Sequence, residues 1–325
     1  MEILVTGGGG FLGQAIIHRL LGRGDRVRTL NRRHYPELEA AGVVCYQGDI
    51  ADEKAVGSAA KGVEAVIHVA AKAGSGLIRS DFYNANVIGT QNVLSACARF
   101  DIPYLVHTSS PSVVHSGGDI EGGDESLPYA THFTAPYPET KALAEQAVLA
   151  KQDSGLKACA LRPHLIWGPG DNQLLPRLRE RNRGPGIRLP APQKLIDTVY
   201  VDNAAQAHLL ALEALIRGSG AAGRAFFISN NEPIPIGEMM SRLLSAVGEV
   251  PQIRTVSPLI ANLIAYGVEG VWRVTGRSSE PPLSRFVVEH LSTAHWYRLD
   301  QAKQYLGYEP QVSLSQGFER LRDRQ

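Results

Sequence analysis

The run Thr6-Gly7-Gly8-Gly9-Gly10-Phe11-Leu12-Gly13 constrains this chain more than any other stretch. It satisfies G-x-x-G-x-x-G and, read from Gly8, G-x-G-x-x-G. It follows the apolar run Ile3–Thr6 and opens the helical pattern Phe11–Leu21, so it joins a strand to a helix. Glycines permit a tight turn and close backbone approach, and a helix N-terminus offers unpaired N–H groups and partial positive charge. That combination cradles a pyrophosphate, and the strand–turn–helix setting is what the pattern needs to mean a dinucleotide site. Gly7, Gly10, Phe11, Leu12 and Gly13 are the candidate cradle.

The rest of the chain repeats the rhythm. Ile3–Thr6, Arg26–Leu30, Val43–Gln47, Ala65–Val69, Tyr104–Thr108 and Lys157–Leu161 read as strands separated by helical patterns. Strands apolar at nearly every position, with crossover helices between them, predict a doubly wound α/β parallel sheet covered on both faces. After Trp167 the pattern breaks into a loop-rich stretch, then resumes with a helix over Asp202–Arg217 and a strand over Ala225–Ser229. The expected division is a nucleotide-binding Rossmann domain from 1–166 and 196–230. A smaller, discontinuous substrate lobe would take 167–195 and 231–325.

Composition removes other classes. Lys plus Arg (33) balances Asp plus Glu (32), so no basic field favours nucleic acid, and a small-molecule partner is expected. Cys45, Cys97 and Cys159 lie far apart within apolar patterns and read as reduced core residues of a cytoplasmic protein. The opening residues lack the basic and hydrophobic regions of a signal peptide. The ten histidines show no metal-ligand spacing. Leu259–Val274 is apolar at helical intervals but carries Asn262, Glu269 and Arg273, which disqualifies it as a membrane span. It reads as a helix closing over the core or a greasy pocket, or as a patch touching a membrane surface or a partner.

The end of the second strand selects the dinucleotide. An acid there would bind a ribose 2′-hydroxyl and repel a 2′-phosphate, and this chain has Asn31-Arg32-Arg33 instead. Guanidiniums suit a phosphate through charge-assisted bonds, so NADP(H) is expected. Two solvated surface arginines are the plain alternative.

Of eleven tyrosines, only Tyr137 has a lysine four residues later, Lys141. A helix puts both on one face. A neighbouring ammonium favours the phenolate and should lower the tyrosine pKa, suiting it to proton exchange with a carbonyl oxygen. Thr108-Ser109-Ser110 ends a strand on the side where parallel sheets bind ligands, and a hydroxyl there can polarise a carbonyl.

With these residues in view, the chain resembles an extended short-chain dehydrogenase/reductase over nearly its whole length. The likeness runs through TGGGGFLG, Gly48-Asp49-Ile50, His68-Val69-Ala70-Ala71, Asn86-Val87-Ile88-Gly89-Thr90, HTSSPSVV, YPETK, LRPHLIWGPGD and YVDNAAQAH. The resemblance implies Tyr137 as acid/base, Lys141 as holder of the nicotinamide ribose, and Ser110 aligning the carbonyl. It puts Asp49 and Ile50 beside the adenine and Ala70, Ala71 and Thr108 along the cofactor. Pro163 to Ile166 would wall the nicotinamide. Asn86 either joins them or only stabilises the sheet.

The run Glu280-Pro281-Pro282-Leu283-Ser284-Arg285 and the C-terminal LGYEPQVSLSQGFERL are similar to the 3β-hydroxysteroid dehydrogenase branch. RRHYPEL, EGGDESLPY and LIWGPGDNQLLPRL resemble, more narrowly, the bacterial 2-alkyl-3-oxoalkanoate reductases of long-chain olefin synthesis. That likeness implies reduction of a 2-alkyl-3-oxo acid by NADPH in a homodimer. The alternatives are a 3β-hydroxysteroid or sterol-carboxylate dehydrogenase, a nucleotide-sugar epimerase and a non-catalytic NADP-binding sensor. Arg177 and Arg285 are candidates for the substrate's acid group, and a solvated helix face is the alternative for the arginine run 177–183.

Overall fold

A computed structural model describes residues 1–151 and 155–323; the last two residues of the expected substrate lobe lie outside it. The chain begins β1 (Glu2–Thr6), α1 (Phe11–Gly22), β2 (Arg26–Asn31), α2 (Pro36–Ala40), β3 (Val44–Gln47), α3 (Glu53–Ala60), β4 (Ala65–His68). Next, α4 (Arg79–Phe82) runs through a π-helical turn, Tyr83–Ile88, into α5 (Gly89–Arg99). There follow β5 (Tyr104–Thr108), β6 (Ile120–Gly123), α6 (Pro136–Leu149), β7 (Lys157–Pro163) and β8 (Ile166–Trp167). After these come α7 (Leu174–Arg183), β9 (Ile187–Leu189), β10 (Leu195–Ile196), β11 (Val199–Tyr200), α8 (Val201–Arg217) and β12 (Ala225–Ile228). The remainder holds β13 (Ile234–Pro235), α9 (Ile236–Ala246), β14 (Ile253–Thr255), α10 (Pro258–Thr275), α11 (Arg285–Ser292), β15 (His295–Tyr297) and α12 (Leu314–Asp323).

Seven strands form one parallel sheet in the order β12-β7-β5-β4-β1-β2-β3. The doubly wound expectation is met. Alternation along the strands explains the two-sided cover, because successive side chains leave opposite faces. Ile3, Val5, Ile67, Val106 and Cys159 pack with α1 and α8 through Ile16, Ile17, Leu20, Leu212 and Leu215. Leu4, Val66, Leu105 and Ala158 pack the other way, onto Val56, Val93, Leu94 and Cys97 of α3 and α5. Each fully buried aliphatic contributes roughly 1.5–3 kcal/mol. Strand order reverses between β1 and β4, and such a switch point opens a crevice at the carboxyl ends of the strands.

A second cluster lies beyond that edge, where Trp167, Ile187, Leu189, Met239 and Leu243 pack together. A smaller sheet, β13-β10-β15-β6, joins distant parts of the chain. Tyr297, Leu299, Ala302, Leu306 and Tyr308, from near the C-terminus, return to the core of the large sheet.

The helix expected over Leu259–Val274 forms as α10, yet it closes over little. It buries Ala261, Ala265 and Glu269, while Leu259, Ile260, Leu263, Ile264, Tyr266, Val271 and Val274 are exposed. No helix among the described residues is long and apolar enough to cross a membrane.

Candidate active site

The carboxyl ends of the strands border a cleft of about 1940 Å³. A single small-molecule site usually needs ~300–1,000 Å³, so there is room for a cofactor and a substrate. The glycine turn forms one wall. Gly7 has φ +70°, and a Cβ there would come within 2.9 Å of the Ala70 backbone; one at Gly13 would lie 2.3 Å from the Gly7 carbonyl oxygen. Side chains of β2 latch the turn: Gly8 N–H donates to Thr29 Oγ1 (3.1 Å) and Gly9 N–H to Asn31 Oδ1 (2.9 Å). Phe11, Leu12 and Gly13, in the first turn of α1, line the cleft, where a helix has N–H groups to spare.

Asn31 is therefore spent on holding the loop. Arg32 and Arg33 line the cleft as exposed side chains, and no carboxylate among the described residues pairs with either. Asp49, Ile50, Ala70, Ala71, Thr108, Pro163 and Ile166 also line it. Ile50 rests against Gly89. Ala70 N–H donates to Thr6 Oγ1 (3.2 Å), and that hydroxyl donates to His68 Nδ1 (2.7 Å).

Tyr137 and Lys141 sit one turn apart on α6, which starts at Pro136. Lys141 is 2% exposed and donates from Nζ to the Thr108 carbonyl oxygen. Burial pulls its pKa down to about 8, against the opposing pull of Glu145. His208 donates from Nδ1 to the Ala204 carbonyl (2.7 Å), so its Nε2 must accept from the Thr108 hydroxyl (2.8 Å). Ser110 caps a 3₁₀ turn, accepting from Ser112 N–H (3.2 Å), and hydrogen-bonds Tyr137.

The tyrosine titration runs opposite to expectation. Burial raises the Tyr137 pKa and only the bond to Ser110 lowers it, because the Lys141 ammonium is turned to the Thr108 carbonyl. Asn86 is a strut: it accepts from Lys72 N–H (2.7 Å) and donates to Lys72 O and Thr140 Oγ1 (3.0 Å each). It thereby ties the segment after β4 to the tyrosine helix.

The arginines proposed for the substrate's acid are otherwise engaged. Arg177 lines the cleft but pairs with Glu280 (2.9 Å). Arg285 is absent from the cleft wall and donates to the buried Glu269 (2.9 Å) while stacking on Tyr266. Three histidines that sequence reasoning passed over, His115, His290 and His295, line the cleft instead, beside His164 of the expected nicotinamide wall. His115, Glu289 and His290 bring potential ligand atoms within 4.8 Å of one another, a grouping that linear spacing could not disclose.

Residues 4–259 match the model of the 3-beta hydroxysteroid dehydrogenase/isomerase family. The chain belongs to that family. It is 50% identical to a 2-alkyl-3-oxoalkanoate reductase of Stenotrophomonas maltophilia, over 99% of this chain and 98% of the relative. It is 35% identical to the human decarboxylating sterol-4-alpha-carboxylate 3-dehydrogenase, over 97% and 86%. In fold it is similar to a Thermus thermophilus UDP-glucose 4-epimerase complexed with NAD, with TM-score 0.75, 23% identity and 100% and 98% coverage. Like its family, it is an oxidoreductase acting on CH–OH and C=O groups.

Proposed function

We propose that the protein reduces the C3 ketone of a 2-alkyl-3-oxoalkanoic acid to the 3-hydroxy acid with NADPH. The observation that carries this reading is the meeting of Ser110, Tyr137 and Lys141 on a cleft shared with the glycine turn. The near-full-length likeness to a reductase of that name supports the substrate class. The cradle fits a dinucleotide, because side chains are excluded at Gly7 and Gly13 and helix N–H groups border the space. Reduced nicotinamide bound there would supply the hydride. Gly7, Gly10, Phe11, Leu12 and Gly13 would hold the pyrophosphate, and Arg32 and Arg33, free of carboxylate partners, the 2′-phosphate. Residues 167–195 and 231–325 would supply the substrate's surroundings.

Ser110 would donate a hydrogen bond to the ketone oxygen and align it. Tyr137, protonated at neutral pH, would pass its phenolic proton to that oxygen as the carbonyl is reduced. Lys141, a cation below about pH 8, would stabilise the resulting phenolate and hold the ribose. A sterol-carboxylate dehydrogenase is the second reading, favoured by the likeness to the human enzyme, and uses the same residues in reverse.

NADPH oxidation followed over 2-alkyl-3-oxo acids, 3-oxo steroids and simple aryl ketones tests both readings. The oxo acids are expected to turn over fastest. Tyr137→Phe should cut kcat by about 10²–10⁴-fold, the usual worth of a positioned acid. Undiminished turnover in that variant removes Tyr137 from the mechanism.

A further inference from the structure

Both substrate classes named above carry a carboxyl group on the carbon next to the ketone, so an acid group must lie close to Tyr137. With Arg177 and Arg285 committed to carboxylates, the histidines are cleft-lining polar groups that ring packing joins to Tyr137. Phe286 connects the two, with ring centroids 6.3 Å from Tyr137 and 4.3 Å from His290.

Proton accounting separates the four rings. His295 Nε2–H donates to the His290 carbonyl (2.8 Å), so its Nδ1 accepts from His164 Nε2–H (2.8 Å). His164 Nδ1 accepts in turn from Leu165 N–H (2.7 Å). Both rings are saturated and neutral. The Thr293 hydroxyl donates to the Glu289 carbonyl (2.9 Å), so His115 Nε2–H must donate to Thr293 (3.1 Å). His115 Nδ1 then faces Glu289 Oε1 at 3.0 Å and lies 3.4 Å from the Gly117 N–H that donates to it. His290 differs. Its Nδ1–H donates to the Phe286 carbonyl (3.1 Å), and no atom among the described residues hydrogen-bonds its Nε2.

We propose that His290 Nε2 seats the carboxyl group of the substrate. This rests on the keto-acid reading above and extends it to a named subsite. A carboxylate arriving from solution brings no proton, and Nε2 offers a lone pair, so binding takes up one proton and forms a carboxylate–imidazolium contact. Burial, then His295 and His115, keep the unliganded ring neutral near pH 7. The groups around it are His115 and Glu289 on one side, His295 backed by His164 on another, and Tyr137 behind Phe286.

The test uses a stable pair of substrates, a 2-alkyl-3-hydroxy acid and its methyl ester, oxidised with NADP⁺ by the full-length protein. His290→Asn can keep the bond to the Phe286 carbonyl while deleting Nε2. It should raise KM for the acid at least tenfold, leave KM for the ester within twofold, and leave NADP⁺ affinity unchanged. His290→Gln, with an amide near the Nε2 position, should restore part of the loss. In the wild type, KM for the acid should rise with pH relative to the ester, and in His290→Gln that ratio should be flat. Equal shifts for acid and ester would reduce His290 to a packing residue and overturn the subsite, as would an unaltered KM for the acid. Failure of the wild type on both compounds would instead sink the keto-acid reading, and the subsite with it.

Discussion

At the scale of single residues, the polar side chains of the cleft are mostly committed to partners, which makes the uncommitted ones informative. Arg32 is one of them. If it meets a 2′-phosphate, Arg32→Ala forfeits charge-assisted bonds worth ~1.5–3 kcal/mol, about ten- to a hundredfold in KM for NADPH, with KM for NADH unmoved. Steady-state kinetics with both cofactors decides it, and an unchanged preference refutes the assignment. The glycines, Tyr137 and Lys141 were legible in sequence because turn and helix spacing are local properties. The pairing of His164 with His295 was not, since it spans 131 residues. Nor could sequence show that Arg177 and Arg285 would be taken by Glu280 and Glu269, because ion pairs across loops follow no spacing rule.

At the scale of elements, α6 must hold Tyr137 at a fixed height above the sheet. A buried ion pair provides the bolt: Glu145 on α6, fully buried, accepts from Arg162 of β7 (2.6 Å) and from the Tyr129 hydroxyl (2.8 Å). The Arg162 guanidinium also stacks 5.1 Å from Phe227. Removing one partner of such a pair costs ~3–5 kcal/mol, because the other charge stays buried and uncompensated. Glu145→Ala should therefore lower the urea midpoint sharply, whereas breaking an exposed pair such as Lys303–Glu309 should barely move it. A Glu145→Ala midpoint like that of wild type would show that the pair is dispensable. Strand positions were legible from their unbroken apolar runs. The outward face of α10 was not, since helical periodicity reports one apolar stripe and is silent on which side the core lies.

At the scale of the whole molecule, buried histidines should govern the response to acid. Burial lowers His68 to about 3 and both His208 and His295 to about 4. Between ~6.5 and those values the unfolded chain binds protons that the folded chain refuses, so stability is full above ~6.5 and falls on acidification. Asp197 acts oppositely: burial raises it to about 7, so its contribution falls as the pH rises from ~4 towards 7. Three lowered histidines outweigh one raised carboxyl. Tm should therefore drop between pH 7 and pH 5, and His208→Gln should make that drop smaller; a flat profile contradicts this account. The parallel sheet was foreseeable from the alternation of strand and helix patterns. The return of Tyr297–Tyr308 to its core was not, because no local signal marks a chain's re-entry into a distant cluster. One departure from the sheet ends where it began. β8 and β11 pair directly, Ile166 with Val199 and Trp167 with Tyr200, so the two ends of the excursion 168–198 meet, while inside it β9 pairs with β14 and β10 with β13 and β15. The loop-rich stretch is thus stitched to the C-terminal third of the chain, so the two must be rewritten together, by evolution or by an engineer.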